Sequence, residues 1–191
     1  MDLVFASGNE HKVLEVENKL GGMVKLRSLN AIGCLDDIEE TGHTLEENAR
    51  IKASHVWRNY GLNCFADDTG LEVEALQGAP GVYSARFAGP QKNASDNVAL
   101  LLEKLKGEQN RNARFRTVIC LIMDDKEHLF EGIVEGTIID VPRGVGGFGY
   151  DPVFVPNGFV GTFAEMSMEE KNTMSHRGRA LKALSDFLKN T

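Results

Sequence analysis

The stretch "ARFRTVICLIMDDKEHLFEGIVEGTIIDV", residues 113–141, decides the fold. It holds two long runs, 113–125 and 129–141, rich in β-branched and apolar side chains, which fit a pleated sheet better than a helix. The polar link "KEH", residues 126–128, is far too short for a crossover, so the runs are expected to pair as an antiparallel hairpin. Upstream, the periods alternate. "DLVFA", residues 2–6, reads as a buried strand, and a helix follows over 10–20 with Val13, Val16 and Leu20 on one side. A longer helix is expected over about 43–59 after a turn at Gly42, then short strands around 63–67 and 71–76. Gly78, Pro80, Gly81, Gly89 and Pro90 mark a turn-rich stretch. Over 93–106, Val98, Leu101, Leu102 and Leu105 recur at helical spacing. After the loop "PRGVGGFGYDP", a final helix over 176–189 presents Leu181, Leu184, Phe187 and Leu188. Strands alternating with helices, plus a long hairpin, give an α/β fold: a long mixed sheet with helices on both faces. No repeat or linker breaks the chain, so one domain over 1–191 is expected.

The composition narrows the class. With 42% hydrophobic and 26% charged residues, and no apolar stretch near the roughly 18 residues a membrane span needs, a soluble globular protein is expected. The start "MDLVFASGN" lacks a basic region followed by an apolar one, so the expected compartment is cytoplasmic. Cys34, Cys64 and Cys120 are widely spaced and odd in number, which argues against a disulfide framework or a zinc site. A net charge of -7 disfavours nucleic acid as a partner. An anionic ligand would need local positive charge or a metal.

Several short stretches can carry chemistry. In "FASGNEHK", residues 5–12, a strand runs through Ser7, Gly8 and Asn9 into a helix, leaving backbone N–H groups for an anion, with Lys12 one turn on. The same pattern suits a plain strand-to-helix turn capped by Asn9. On the 43–59 helix, Lys52 shares a narrow arc with Leu45, Ala49 and Val56, with Asn48 at its edge. It either snorkels past that stripe or lines a cleft and meets an anion. "ADDTG" sets Asp67 and Asp68 before a glycine turn, where strand alternation sends one toward a cleft and the other toward backbone donors. With Glu39 and Glu40 from another segment, they could serve Mg²⁺, which takes a few carboxylates plus waters and phosphates; otherwise the pair is a solvated acidic turn. In "GVGGFGYDP", Phe148 among four glycines either stacks on a flat base or plugs the core. "SHRG" places His176 and Arg177 in the first turn of the last helix, against the dipole, so an anion from ligand or protein is expected nearby.

In order along the chain, "SGNEHK", "EETGHTLEENARIKA", "ADDTGLEV", "GAPGVYSARFAG", "GGFGYDPVF", "EEK" and "SHRGRAL" resemble the inosine triphosphate pyrophosphatase family, also called Ham1-like. The resemblance implies a curved mixed sheet with two lobes around a central cleft, a homodimer, and Mg²⁺-dependent hydrolysis of ITP, dITP and XTP to the monophosphate and pyrophosphate. By position, Asp68 matches the family's general base and metal ligand, and Glu39 its other metal-site carboxylate. Ser7, Gly8, Asn9, Glu10, His11, Lys12, Lys52 and Thr69 match triphosphate-site residues. Phe148, Gly149, Tyr150, Asp151, Lys171, His176 and Arg177 match those that hold the base and its neighbours. Thr69 stands where serine is common, and His11 where many relatives have a small residue. Two rivals are a Maf-like diphosphatase for other modified nucleotides, disfavoured by "GGFGYDP" and "SHRG", and a non-catalytic nucleotide sensor, which has no need of the carboxylates.

Overall fold

The computed structural model describes residues 1–191. The chain runs β1 (Asp2–Phe5), α1 (Glu10–Leu20), β2 (Lys25–Arg27), α2 (Leu45–Tyr60), β3 (Cys64–Val73), β4 (Pro80–Gly81), α3 (Ala94–Lys104), β5 (Asn112–Met123), β6 (Lys126–Ile138), β7 (Phe154–Pro156), α4 (Met168–Met174) and α5 (His176–Lys189). The strands form one mixed sheet in the order β2-β1-β3-β5-β6-β7, with β4 against β3. Packing divides the chain into two interleaved units. Unit 1 comprises 1–68, 117–132 and 177–191; unit 2 comprises 69–116 and 133–176.

In unit 1 the sheet is buried on both faces, and the pleat sorts its side chains. Leu3, Phe5, Phe65, Ile119, Leu121 and Met123 point to one side, where Val16 and Leu20 of α1 and Leu181, Leu184 and Leu188 of α5 cover them. Their neighbours Val4, Ala6, Cys64, Ala66, Cys120 and Ile122 point to the other, against Ala49, Ala53 and Val56 of α2. β1 runs parallel to both β2 and β3, pairing Leu3 with Leu26 and Val4 with Cys64. Such neighbours cannot be joined by a tight turn, and α1 and α2 lie on the connecting segments. Each of these helices is capped by a side chain: Asn9 accepts from the Lys12 N–H and Thr44 from the Glu47 N–H, and α2 ends on left-handed Gly61.

In unit 2 the core lies on one face. Leu71, Val73, Phe115, Val134 and Ile138 pack with Leu101 and Leu105 from α3 and its end, and with Phe154 and Phe163. The alternate positions are polar, and Arg114 pairs with Glu72 at 2.6 Å. Helical cover of both faces thus holds for unit 1 and gives way here to a charged surface. β7 runs antiparallel to β6, with Thr137 opposite Val155, and the Tyr150 hydroxyl donates to the Ser84 carbonyl at 2.8 Å.

Several expectations are corrected. The hairpin turns at Asp124 and Asp125, with φ of 50° and 62°, not at "KEH", whose residues begin β6. A two-residue turn with both φ positive matches the strand twist, and aspartate tolerates that region. Asn63 Oδ1 braces it by accepting the Asp124 N–H at 3.0 Å. The break expected at "Thr69-Gly70" does not exist: β3 is continuous from Cys64 to Val73. Gly70 serves close approach instead, because a Cβ there would lie 2.6 Å from the Gly81 carbonyl oxygen on β4. β2, β7 and α4 went unseen in the sequence, although Ser167 and Glu170 spell the capping box that opens α4.

The Gly70 contact yields the first prediction. Gly70→Ala drives a methyl group into backbone that cannot rotate away, and overpacking of this kind costs about 1–3 kcal/mol. A melting temperature lower by several degrees is expected in thermal unfolding; an unchanged one would show that β4 moves aside freely.

Candidate active site

Beyond Ala66 the pleat of β3 places two carboxylates in sequence, and its alternation sends them to opposite faces. Asp67 follows Phe65 toward α1 and α5, while Asp68 follows Cys64 and Ala66 toward α2. Both are buried, at 2% and 7% exposure, so this is no solvated turn.

Asp67 meets side-chain cations rather than the backbone donors expected of it. Its Oδ1 lies 3.1 Å from Lys12 Nζ and its Oδ2 accepts from Arg177 Nε at 3.1 Å. Arg177 is fully buried and donates through Nη1 to Glu15, itself buried on α1. These are the protein anions that the first turn of α5 called for. Burial works against the charge of Asp67, but Lys12 and Arg177 outweigh it and hold the carboxyl well below the usual carboxylate range. Burial also lowers the pKa of Lys12, with Asp67 opposing the fall. Arg177, though desolvated, is held charged by Asp67 and Glu15. Lys12 thus leaves the exposed turn formed by Gly8, Asn9, Glu10 and His11 and reaches inward. Within that turn the Ser7 hydroxyl accepts the Asn9 N–H at 3.2 Å.

On the α2 side, Asn48 Nδ2 donates to Asp68 Oδ2 at 3.1 Å, and Lys52 Nζ lies 3.7 Å from Oδ1. Lys52 does not snorkel. It is buried and donates to Glu40 at 2.5 Å. Burial works against its charge, yet Asp68, Glu40 and Asp67 prevail and raise its pKa. For Asp68 burial wins: its pKa is raised, and Lys52 and Lys12 limit the rise. Asn48 also accepts the Gly42 N–H at 2.8 Å, and a Cβ on Gly42 would strike that same oxygen at 2.6 Å. The glycine therefore lets the segment carrying Glu39 and Glu40 dock on α2. Glu40 is the one drawn to Lys52, whereas Glu39 is exposed. The donors gathered here are all carboxylate oxygens, which suits a hard divalent cation that keeps several waters. Asp68, fixed through Oδ2 by Asn48, and Glu39 are the residues that would hold one.

In unit 2, Asp151 organises the glycine loop. Buried at 2% exposure, it accepts the Phe148 N–H at 2.8 Å and Lys171 Nζ at 2.7 Å. Lys171 also lies 4.8 Å from the Phe148 ring centroid. Phe148 and Gly149 are half-buried, while Tyr150 is anchored in the core. The Asp151 N–H bonds the Phe148 carbonyl at 3.2 Å, so the backbone donors of Phe148 and Asp151 are both used within the loop. His176 stacks on Phe115 with centroids 4.5 Å apart. Thr69 is half-buried in β3. Glu15 escaped the sequence reading of the site, although it lies one turn after Lys12, and Asn48 is marked there only as the edge of the Lys52 arc, with no role.

Residues 3–187 match the Ham1 family. The chain belongs to that family. It is 55% identical over 190 residues to the dITP/XTP pyrophosphatase of Flavobacterium psychrophilum, covering 100% of both chains. It is 56% identical to that of Porphyromonas gingivalis, covering 97% of this chain and 96% of the relative. Among solved structures it resembles a HAM1 protein from Coxiella burnetii, with TM-score 0.93, 39% identity and full coverage of both chains. It also resembles the Staphylococcus aureus Ham1 protein, with TM-score 0.91 and 38% identity over 100% of this chain and 99% of that one. These matches bear out the α/β fold with its curved mixed sheet flanked by helices.

Two stability predictions follow from the opposed carboxylates. Asp67 has a depressed pKa, so its contribution is present above the ordinary value of 3.8 and is lost as pH falls below it. Asp68 has a raised pKa, so the folded state binds its proton more tightly. Its ionisation therefore lowers stability as pH rises from 3.8 through the raised value. In metal-free buffer, Asp68→Asn should remove that upper decline, melt higher than the parent at neutral pH and keep the acid limb. A lower melting temperature at neutral pH would mean that the ionised form stabilises the fold. Arg177→Met, by contrast, removes the buried guanidinium that Glu15 and Asp67 share. Breaking a buried pair costs about 3–5 kcal/mol, so melting should fall by roughly 10 °C, and a fall of only a degree or two would contradict this.

Proposed function

We propose that this chain hydrolyses deaminated purine nucleoside triphosphates, dITP, XTP and ITP, to the monophosphate and pyrophosphate, removing them before they enter DNA or RNA. The observation that carries the reading is the buried Asp68, held by Asn48 and faced by Lys52, on the strand that also presents Asp67 to Lys12. The printed activity of relatives aligned end to end with this chain supports the same reading.

In this reading Asp68 takes the proton of the attacking water, the bond from the phosphorus to the pyrophosphate oxygen breaks, and pyrophosphate leaves. Burial raises the Asp68 pKa, the direction a general base working near neutral pH requires. Lys12 and Lys52 carry fixed positive charge toward the phosphoryl oxygens, and Ser7, Gly8, Asn9, Glu10, His11 and Thr69 complete the triphosphate set. Asp68 and Glu39 would hold Mg²⁺, which when bound would supply charge neutralisation at the phosphates and polarisation of a water. For the base, Phe148 offers its ring for stacking, and Lys171 and His176 offer donors to the 6-keto oxygen; Gly149, Tyr150 and Asp151 shape the loop. Arg177 is assigned to the same set by position, while its Nε and Nη1 donate to Asp67 and Glu15. A donor set rejects adenine, whose 6-amino group is itself a donor, and rejects guanine less completely. One domain, acting as a homodimer, completes the proposal.

The test is incubation with Mg²⁺ and a panel of ITP, dITP, XTP, GTP and ATP, with products identified. Monophosphate plus pyrophosphate, strong rejection of ATP and weaker rejection of GTP are expected, and Asp68→Asn should lose at least about 100-fold in turnover while folded. Diphosphate plus phosphate as products, or near-parental rates in Asp68→Asn, would overturn the mechanism.

A further inference from the structure

The three cysteines have different surroundings. Cys64 and Cys120 sit in the apolar layer beneath α2, where burial pushes each thiol up to about 12 and leaves it unreactive. Cys34, equally buried, lies in the segment leading to Glu39 and Glu40, its N–H bonded to the Leu29 carbonyl at 3.0 Å. Its sulfur, a carboxylate oxygen of Asp36 and a ring nitrogen of His55 all lie within 4.8 Å of one another. The Cys-x-Asp spacing in an extended segment turns alternate side chains the same way. His55 projects from α2 between them, with Nε2 2.9 Å from Asp36 Oδ2. Its other nitrogen, Nδ1, is taken by Asn59 Nδ2 at 3.3 Å, one helical turn on, and Asn59 is itself pinned to the His55 carbonyl at 2.9 Å. Tyr60 neighbours the Cys34 thiol, whose proximity raises the tyrosine pKa. Thiol, imidazole and carboxylate therefore converge on one point, with Nε2 of the ring on the side of Asp36.

We propose that Cys34, Asp36 and His55 bind a thiophilic divalent transition metal, Zn²⁺, at a site separate from Asp68 and Glu39. Thiolate, imidazole and carboxylate are the three ligand types zinc takes, whereas Mg²⁺ takes oxygen. Around one zinc ion the ligand atoms stand about 3.3–3.8 Å apart, so the wider pairs close by roughly 1–1.5 Å at most and the 2.9 Å His55–Asp36 pair opens slightly, which the exposed Asp36 permits. The spacing of the cysteines argued against zinc only for sites built from several of them. A set with one cysteine escapes that argument. Binding ties the segment that carries Glu39 and Glu40 to the helix that carries Asn48 and Lys52, and it releases the thiol proton.

The test uses the full chain, reduced, stripped with chelator and kept in millimolar Mg²⁺, titrated with Zn²⁺ against a chromophoric competitor and with Co²⁺ as a spectroscopic probe. One equivalent of Zn²⁺ is expected, with proton release, a raised melting temperature and a thiolate-to-cobalt charge-transfer band. His55→Gln and Cys34→Ser should each weaken Zn²⁺ binding by about tenfold or more, while Asp68→Asn should leave it unchanged. His55 is half-exposed, so its variant should fold and melt like the metal-free parent. If Cys34→Ser does not fold, the cobalt band of the parent and the His55→Gln titration decide. A cobalt spectrum lacking the thiolate band, equal Zn²⁺ affinity in His55→Gln, or loss of binding in Asp68→Asn would each overturn the proposal.

Discussion

The rest of this molecule depends on the two-residue repeat of β3. Because successive side chains of a strand point to opposite faces, one stretch of chain seats Phe65 and Asp67 against α1 and α5 and seats Cys64, Ala66 and Asp68 against α2. The apolar members of each file fasten the strand between helices, and the acidic members at its end inherit that rigidity. A slip of one residue would exchange the two files and place each carboxylate among the wrong partners.

Those partners give the two aspartates opposite characters. Asp67 has two cations and is firmly ionised, a fixed negative post that holds Lys12 and Arg177 in place. Asp68 has an amide at 3.1 Å and a lysine no closer than 3.7 Å, and burial raises its pKa. One carboxylate stabilises the fold, and the other carries a cost to it. Neighbouring acids pushed apart in this way are what acid–base chemistry requires. The glycine at 42 and the amide of Asn48 extend the same logic, drawing the segment with Glu39 and Glu40 onto α2.

Much of this was legible in the sequence. α1 and α5 fall on the residues their periodicity and caps indicate, because an apolar stripe and a capping side chain are local signals. The acidic pair, Lys12 and Lys52 stand out because charge on a buried pattern demands a reason. What failed was long-range. Gly70 reads as a turn residue, and only the approach of Gly81 reveals it as a strand residue needing room. Arg177 reads as needing an anion, and nothing local shows that Glu15, 162 positions away in the chain, supplies it. Between Glu39 and Glu40, adjacent and alike, no local rule says which will meet Lys52. β2 and β7 are too short to show a period, and they exist because a neighbouring strand offers its edge.

The interleaving of the two units has a bearing on the order in which the protein can form. Unit 1 is closed by residues 177–191, which follow its other segments along the chain. Until Arg177 emerges, the carboxylates of Glu15 and Asp67 have been synthesised without the guanidinium that will be buried between them. Asp67 waits through the 110 positions that separate it from its partner. Pairings over such separations are slow to find, because loop closure must come before any contact repays it. The cation that both carboxylates share is therefore the last of these charged groups to be added within unit 1, and it comes with the helix that closes that unit.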